Sequence, residues 1–179
     1  MGDYYDESRK YYDKEDSLYH KVALLKKEQG NVNFDKLYAI KMIERFKAHD
    51  MRPMQYHEFT FVLTPHVKIE YYIEIPKDYV RENEPSEDIK LVEIDDKDHS
   101  IGSVLKQINF SLWNENAPKS SGWCSNPTHM SFEFIDEDGI WCNAWWTDDG
   151  ESHIYDHFDD FQKIIRSIRS KAYSMESII

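Results

Sequence analysis

Few side chains in this sequence are spaced for chemistry, and the histidines near the C-terminus come first. His153 and His157 lie four residues apart, with Asp156 and Asp160 beside them. On a helix that spacing puts two imidazoles on one face, where Asp156 could join them around a divalent metal. A metalloprotease motif needs Glu after the first His, and residue 154 is Ile, so the signature is incomplete. The plainer reading is a helix N-terminus carrying acids. Cys124, His129 and Cys142 could contribute to a zinc site, but no Cys-x-x-Cys pair is present. Cys124 with His129 as its base would be a nucleophile pair without a local signature.

His129-Met130-Ser131-Phe132 resembles one half of the His-x-Ser/Thr-hydrophobic pair of the 2H phosphoesterases. The second half would be His57-Glu58-Phe59-Thr60, where the Thr stands one position too far. On a strand it would point away from His57. The six glycines are scattered at 2, 30, 102, 122, 139 and 150. They form no phosphate loop, no dinucleotide fingerprint and no Gly-x-Ser-x-Gly elbow. The sequence therefore predicts no cofactor and assigns no catalytic residue.

A concentrated acidic and aromatic surface is left. Trp141 and Trp145 share one strand face, and Trp123 sits in the loop that precedes the hairpin. Asp136, Glu137, Asp138, Asp148, Asp149 and Glu151 edge the same hairpin. Buried tryptophans and solvated turns would explain the pattern. Rigid aromatics ringed by acids also describe a hot spot for a basic partner, and Trp with carboxylates could grip a sugar.

Composition narrows the classes. The chain has 179 residues and a formal net charge of −12. That disfavours phosphate backbones and anionic membrane surfaces. With 40% hydrophobic and 15% aromatic residues, the chain can bury a core. No apolar stretch reaches the length of a membrane span, and the Tyr- and Asp-rich start is no signal peptide, so a cytoplasmic protein is expected. Two cysteines make no disulfide framework.

The elements that must position these residues are plainest between 129 and 172. Met130, Phe132 and Phe134 alternate with Ser131, Glu133 and Ile135, the period of a half-buried strand. Asp136-Glu137-Asp138-Gly139 is a turn in which Gly139 can take positive φ. The return from Ile140 to Trp146 is apolar on both faces, which makes it central in its sheet or sets one face against a partner. Ile154, Phe158, Phe161, Ile165, Ile168 and Ala172 then form the stripe of an amphipathic helix. Acids crowd its start and Arg166, Arg169 and Lys171 its end, as the helix dipole favours.

Upstream, Tyr4, Tyr11, Leu18 and Leu25 recur every seven residues, the pattern of an N-terminal helix that packs on its own domain. Asn33 is placed to cap a second helix, with Leu37, Ile40, Ile43 and Phe46 as its apolar side. Two alternating strands follow, His57 to Leu63 and Val67 to Ile75, joined at Thr64-Pro65-His66. Ile89 to Ile94 reads as a short strand. Ile101, Val104, Leu105, Ile108 and Leu112 make one helical stripe whose end also alternates as a strand would. Residues 114–128 read as a loop.

The predicted order is α-α-β-β-β-α-β-β-α. It makes an α+β fold with an antiparallel sheet of about five strands flanked by helices, over residues 31–179, with 1–30 as an N-terminal helical extension. In element order alone it is similar to the fold of type III secretion chaperones. The expected function is a non-enzymatic interaction protein, like an immunity protein, inhibitor or chaperone. It would bind a basic or amphipathic protein partner, not nucleic acid or membrane, with a homodimer kept open. Its anchors would be Trp123, Trp141 and Trp145, rimmed by Asp136, Asp138, Asp148 and Asp149. The alternatives are a metal-dependent hydrolase built on His153, His157 and Asp156, and a carbohydrate or small-ligand domain using the Trp face.

Overall fold

The computed structural model describes residues 17–46, 55–75, 88–116, 129–147 and 157–174. Its architecture is α+β: one seven-stranded sheet in the order β1-β7-β6-β2-β3-β4-β5. The strands are β1 (Glu28–Gln29), β2 (Leu37–Phe46), β3 (Gln55–Val62), β4 (Lys68–Ile75), β5 (Asp88–Asp95), β6 (His129–Asp136) and β7 (Ile140–Thr147). All neighbours are antiparallel except β1, which pairs parallel with β7. Helix α1 (Leu18–Leu25) covers one face, while α2 (Ser100–Leu105), α3 (Phe110–Asn116) and α4 (Phe158–Ser174) cover the other. Among the described residues no helix is long and apolar enough to cross a membrane.

Two strands exceed the five expected, β1 and β2. The second predicted helix is in fact β2, a central strand between β6 and β3. Asn33 does cap, accepting from the Asp35 N–H at 3.1 Å, but the helical turn lasts only through Phe34–Lys36. Ala39, Ile40 and Met42 are all fully buried. Ala39 faces α1, and Ile40 and Met42 face the other helices. A strand buried on both faces loses its alternation, and its apolar residues then mimic helical spacing.

The main core lies between the sheet and α2–α4. Ala144, Phe132, Met42, Phe59, Tyr71 and Val92 stand in register across six strands. Helix α4 lays Phe158, Phe161, Ile165 and Ile168 on that face, all at 5% exposure or less. Burying each such side chain contributes roughly 1.5–3 kcal/mol. The single stripe predicted from Ile101 to Leu112 breaks after Leu105, and α3 begins at Phe110 with a new phase. Leu112 is therefore 42% exposed, while Trp113 is 1% exposed and packs against Phe110, Phe132, Phe158 and Phe161.

On the other face, Ser17 caps α1 by accepting from the His20 N–H at 3.0 Å. Val22 is fully buried against Ala39, Val62 and Ile135. Residues 17–29, counted in sequence as part of an extension, supply a helix and a strand to this sheet, and 1–16 lie outside the described residues. Gly139 has φ 86° in the β6–β7 turn, and a Cβ there would overlap the Leu25 carbonyl oxygen. Only glycine satisfies both the turn and the close approach of the α1–β1 segment.

Candidate functional site

The site is built on β7, Ile140-Trp-Cys-Asn-Ala-Trp-Trp-Thr147, which carries no charge. The pleat turns Cys142 and Ala144 toward the main core and Trp141 toward the α1 face. Asn143 lies between Trp141 and Trp145 along the strand. The Trp141 carbonyl accepts from the Gly30 N–H at 3.0 Å, so odd-numbered backbone groups face away from β6. Strand alternation then places the N–H and C=O groups of Asn143, Trp145 and Thr147 on the outer edge. β1 occupies that edge only opposite Ile140 and Trp141. Asn143 is exposed.

Trp141 is half-buried and already engaged by its own chain. Lys26 Nζ sits 3.9 Å from its ring centroid and donates to Glu133 Oε2 at 2.8 Å. Asp136 corrects the picture of an open acidic rim. It is 2% exposed. Its Oδ1 accepts from the Asp138 and Ile140 N–H groups, and its Oδ2 from the Asn33 N–H, all at 3.0 Å. It builds the turn and ties the β1–β2 connection to it, as an Asp heading Asp-x-Asp-Gly can. Glu137 and Asp138 beside it are exposed, as is Glu28 on β1. Trp123, Asp148 and Asp149 lie outside the described residues, so only part of the expected set is brought together here.

No protein-family model, curated protein or solved structure matches this chain.

Of the histidines and cysteines singled out in sequence, His57, His157 and Cys142 have described side chains. α4 begins at Phe158, and His157 precedes it in the left-handed region at φ 59°. His157 therefore stands just outside the helix. His157 Nδ1 pairs with Asp160 Oδ2 at 3.3 Å, while His153 and Asp156 lie outside the described residues. Among the described residues no group of three His, Cys, Asp or Glu side chains could hold a metal. Cys142 donates weakly to Asn114 Oδ1 at 3.7 Å. Burial first, then the charges of Glu133 and Asp136, push its thiol up to about 11. At neutral pH it is protonated and a poor nucleophile. Cys124 lies outside the described residues. His57 and Thr60 point to opposite faces of β3, as the broken 2H motif implied.

Two polar clusters escaped the sequence reading. At one end of the main core, Glu44 of β2 is in register with His57 of β3. Arg169 of α4 pairs with Glu44, and His57 Nδ1 bonds the Tyr71 hydroxyl at 2.7 Å. Glu44 was missed because its segment reads as a helix. On the α1 face, Glu133, Lys41, Thr60 and Glu70 line one row across the sheet. The Tyr19 N–H donates to Glu70 at 3.0 Å, and Lys41 Nζ lies 3.6 Å from Glu58 Oε1 and 4.2 Å from the Tyr19 ring centroid. Alternation marks Thr60, Glu70 and Glu133 as the solvated side of two hairpins, and Lys41 lies in the segment read as a helix; α1 covers them.

His57 sets an acid limit on stability. Burial lowers its pKa from 6.5 to about 4. The folded state therefore binds the His57 proton more weakly than the unfolded state does. Its contribution is complete above pH 6.5 and is lost between pH 6.5 and 4, at a cost of about 3 kcal/mol. Tyr71 bonds this group, and Glu44, paired with Arg169, is its register partner on β2. Glu70, raised chiefly by burial, acts in the opposite sense, because its protonation relieves a buried charge. Urea unfolding at pH 7 and pH 4 should show the loss in the native chain and a much smaller one in His57→Gln. The same pH slope in both proteins would remove His57 as its source.

Proposed function

We propose that this chain is a non-enzymatic, cytoplasmic interaction protein of the immunity, inhibitor or chaperone kind, which binds a basic or amphipathic protein partner. The observation that carries this reading is the uncharged, Trp-bearing strand β7 next to the margin of the sheet, beside exposed carboxylates. Asn143 is exposed at its edge, and Glu28, Glu137 and Asp138 are exposed around its turn. A net charge of −12 adds long-range attraction for a cationic partner and repels nucleic-acid phosphates. Tryptophans supply large contact area at low entropic cost, and rim charges supply steering and register.

The test is a tagged pull-down from the native cell at low and at high salt. A single stoichiometric basic partner, lost as salt rises, supports the reading. Empty pull-downs at both salts remove it. With that partner in hand, reversing Asp138, Asp148 and Asp149 together to Lys should weaken binding by about tenfold or more. Most of the effect should appear in the association rate, because rim charges act chiefly on encounter. Unchanged association in the triple variant would count against the acidic rim.

A further inference from the structure

We infer that the partner binds by strand addition: an extended basic segment pairs through its backbone with the outer edge of β7 alongside Asn143–Thr147. This rests on the interaction reading above and specifies its mode.

The sheet has two margins, β5 and the β7 side. β5 carries Asp88, Lys90, Glu93 and Asp95, the charged pattern that guards an edge against foreign strands. β7 carries no charge, no proline and no described bulge. Its cover is β1, and β1 stops at Gln29. The chain then turns away through Gly30, and Asn33 is drawn to the buried Asp136 carboxylate. Beyond Trp141 the outward N–H and C=O groups of Asn143, Trp145 and Thr147 have no strand beside them among the described residues. Such a row is a template for an incoming strand.

Charge selects the occupant. Glu28, Glu137 and Asp138 are exposed at the near end of the edge. Lys27 offsets one of these charges, and Lys26 is matched by Glu133. An extended segment with small or apolar residues along the seam and cations toward the β6–β7 turn fits this setting. A second copy of the chain would bring its own acids to the same place.

Proline at position 143 separates this mode from surface attraction. The Asn143 N–H faces outward and takes no part in the β6–β7 ladder, so proline is tolerated there as on other edge strands. The probe is a capped peptide of roughly ten residues alternating Lys and Val, with a Glu/Val peptide as counterpart. The Lys/Val peptide should bind saturably and slow amide exchange at Asn143, Trp145 and Thr147. Asn143→Pro, with native far-ultraviolet circular dichroism, should bind about tenfold more weakly. Where the proline variant misfolds, amide exchange in the native chain decides, because peptide bound by surface attraction alone leaves the Asn143, Trp145 and Thr147 amides unprotected. Equal binding by the native chain and the folded proline variant, or no protection of those amides, would overturn strand addition while leaving the acidic-interaction reading in place. No binding of the Lys/Val peptide would overturn it too, whatever the pull-down yields. Concentration-dependent dimers abolished by Asn143→Pro would give the edge to a second copy and overturn the basic-segment assignment.

Discussion

Replacing Trp113 with alanine is expected to cost about 3–5 kcal/mol of stability, the range for truncating a large buried aromatic. Trp113 is the largest of the fully buried side chains among the described residues. Its ring centroid lies 4.9 Å from Phe110, 5.3 Å from Phe161 and 5.6 Å from Phe132 and Phe158. These neighbours come from α3, α4 and β6, so the indole joins three elements. Three of them are edge-to-face or nearly so, an arrangement worth more than area alone. The surrounding rings belong to rigid elements and cannot collapse into the space left behind. Leu112→Ala, one residue away but exposed, should change stability by less than about 0.5 kcal/mol. Equilibrium urea unfolding compares the two directly. Similar small losses in both variants would mean that α3 does not seat Trp113 in the core.

The second large effect is expected at the Glu44–Arg169 pair. Glu44 is 2% exposed, and the Arg169 side chain closes over it from α4, its guanidinium carbon 5.8 Å from the Phe59 ring centroid. Removing one member of a buried ion pair strands the other charge in a poorly solvated site. Arg169→Met should therefore cost about 3–5 kcal/mol. Replacing both, as Glu44→Leu with Arg169→Met, should recover much of that loss, because the larger part of the penalty is the uncompensated carboxylate. Thermal and urea unfolding of the two single variants and the double variant form a double-mutant cycle. Strictly additive single losses would show that the two groups do not act as a pair.

The pattern of legibility follows from how many faces each element buries. β3, β4 and β6 could be read because their alternation survives: Phe59 and Phe61 face the helices, while Glu58 and Thr60 face α1. α4 could be read because a helix against a sheet needs one stripe, and Phe158, Phe161, Ile165 and Ile168 supply it. β2 could not, because its two faces meet different layers and Ala39, Ile40 and Met42 are all buried. The stripe through α2 and α3 misled because Lys106–Asn109 reset the helical phase, exchanging Leu112 for Trp113 at the core. Asp136 was legible as a turn residue and was also placed on the binding rim. Its burial depends on Asn33, which is 103 residues away in sequence.

By itself, the sequence determined the α+β class, two hairpins, the last helix with its dipole-matched charges, and the acidic character of the surface. These depend on local periodicity and on composition, which need no knowledge of neighbours. Tertiary structure alone decided that β2 is a central strand, that α1 covers a polar row of the sheet, and that Glu44 meets Arg169. It also decided the place of β7. An apolar strand on both faces predicted either a central position or a face set against a partner, and β7 stands next to the margin, beside a two-residue β1. Which strand lies at an edge is a matter of pairing order, and pairing order is a non-local property of the chain.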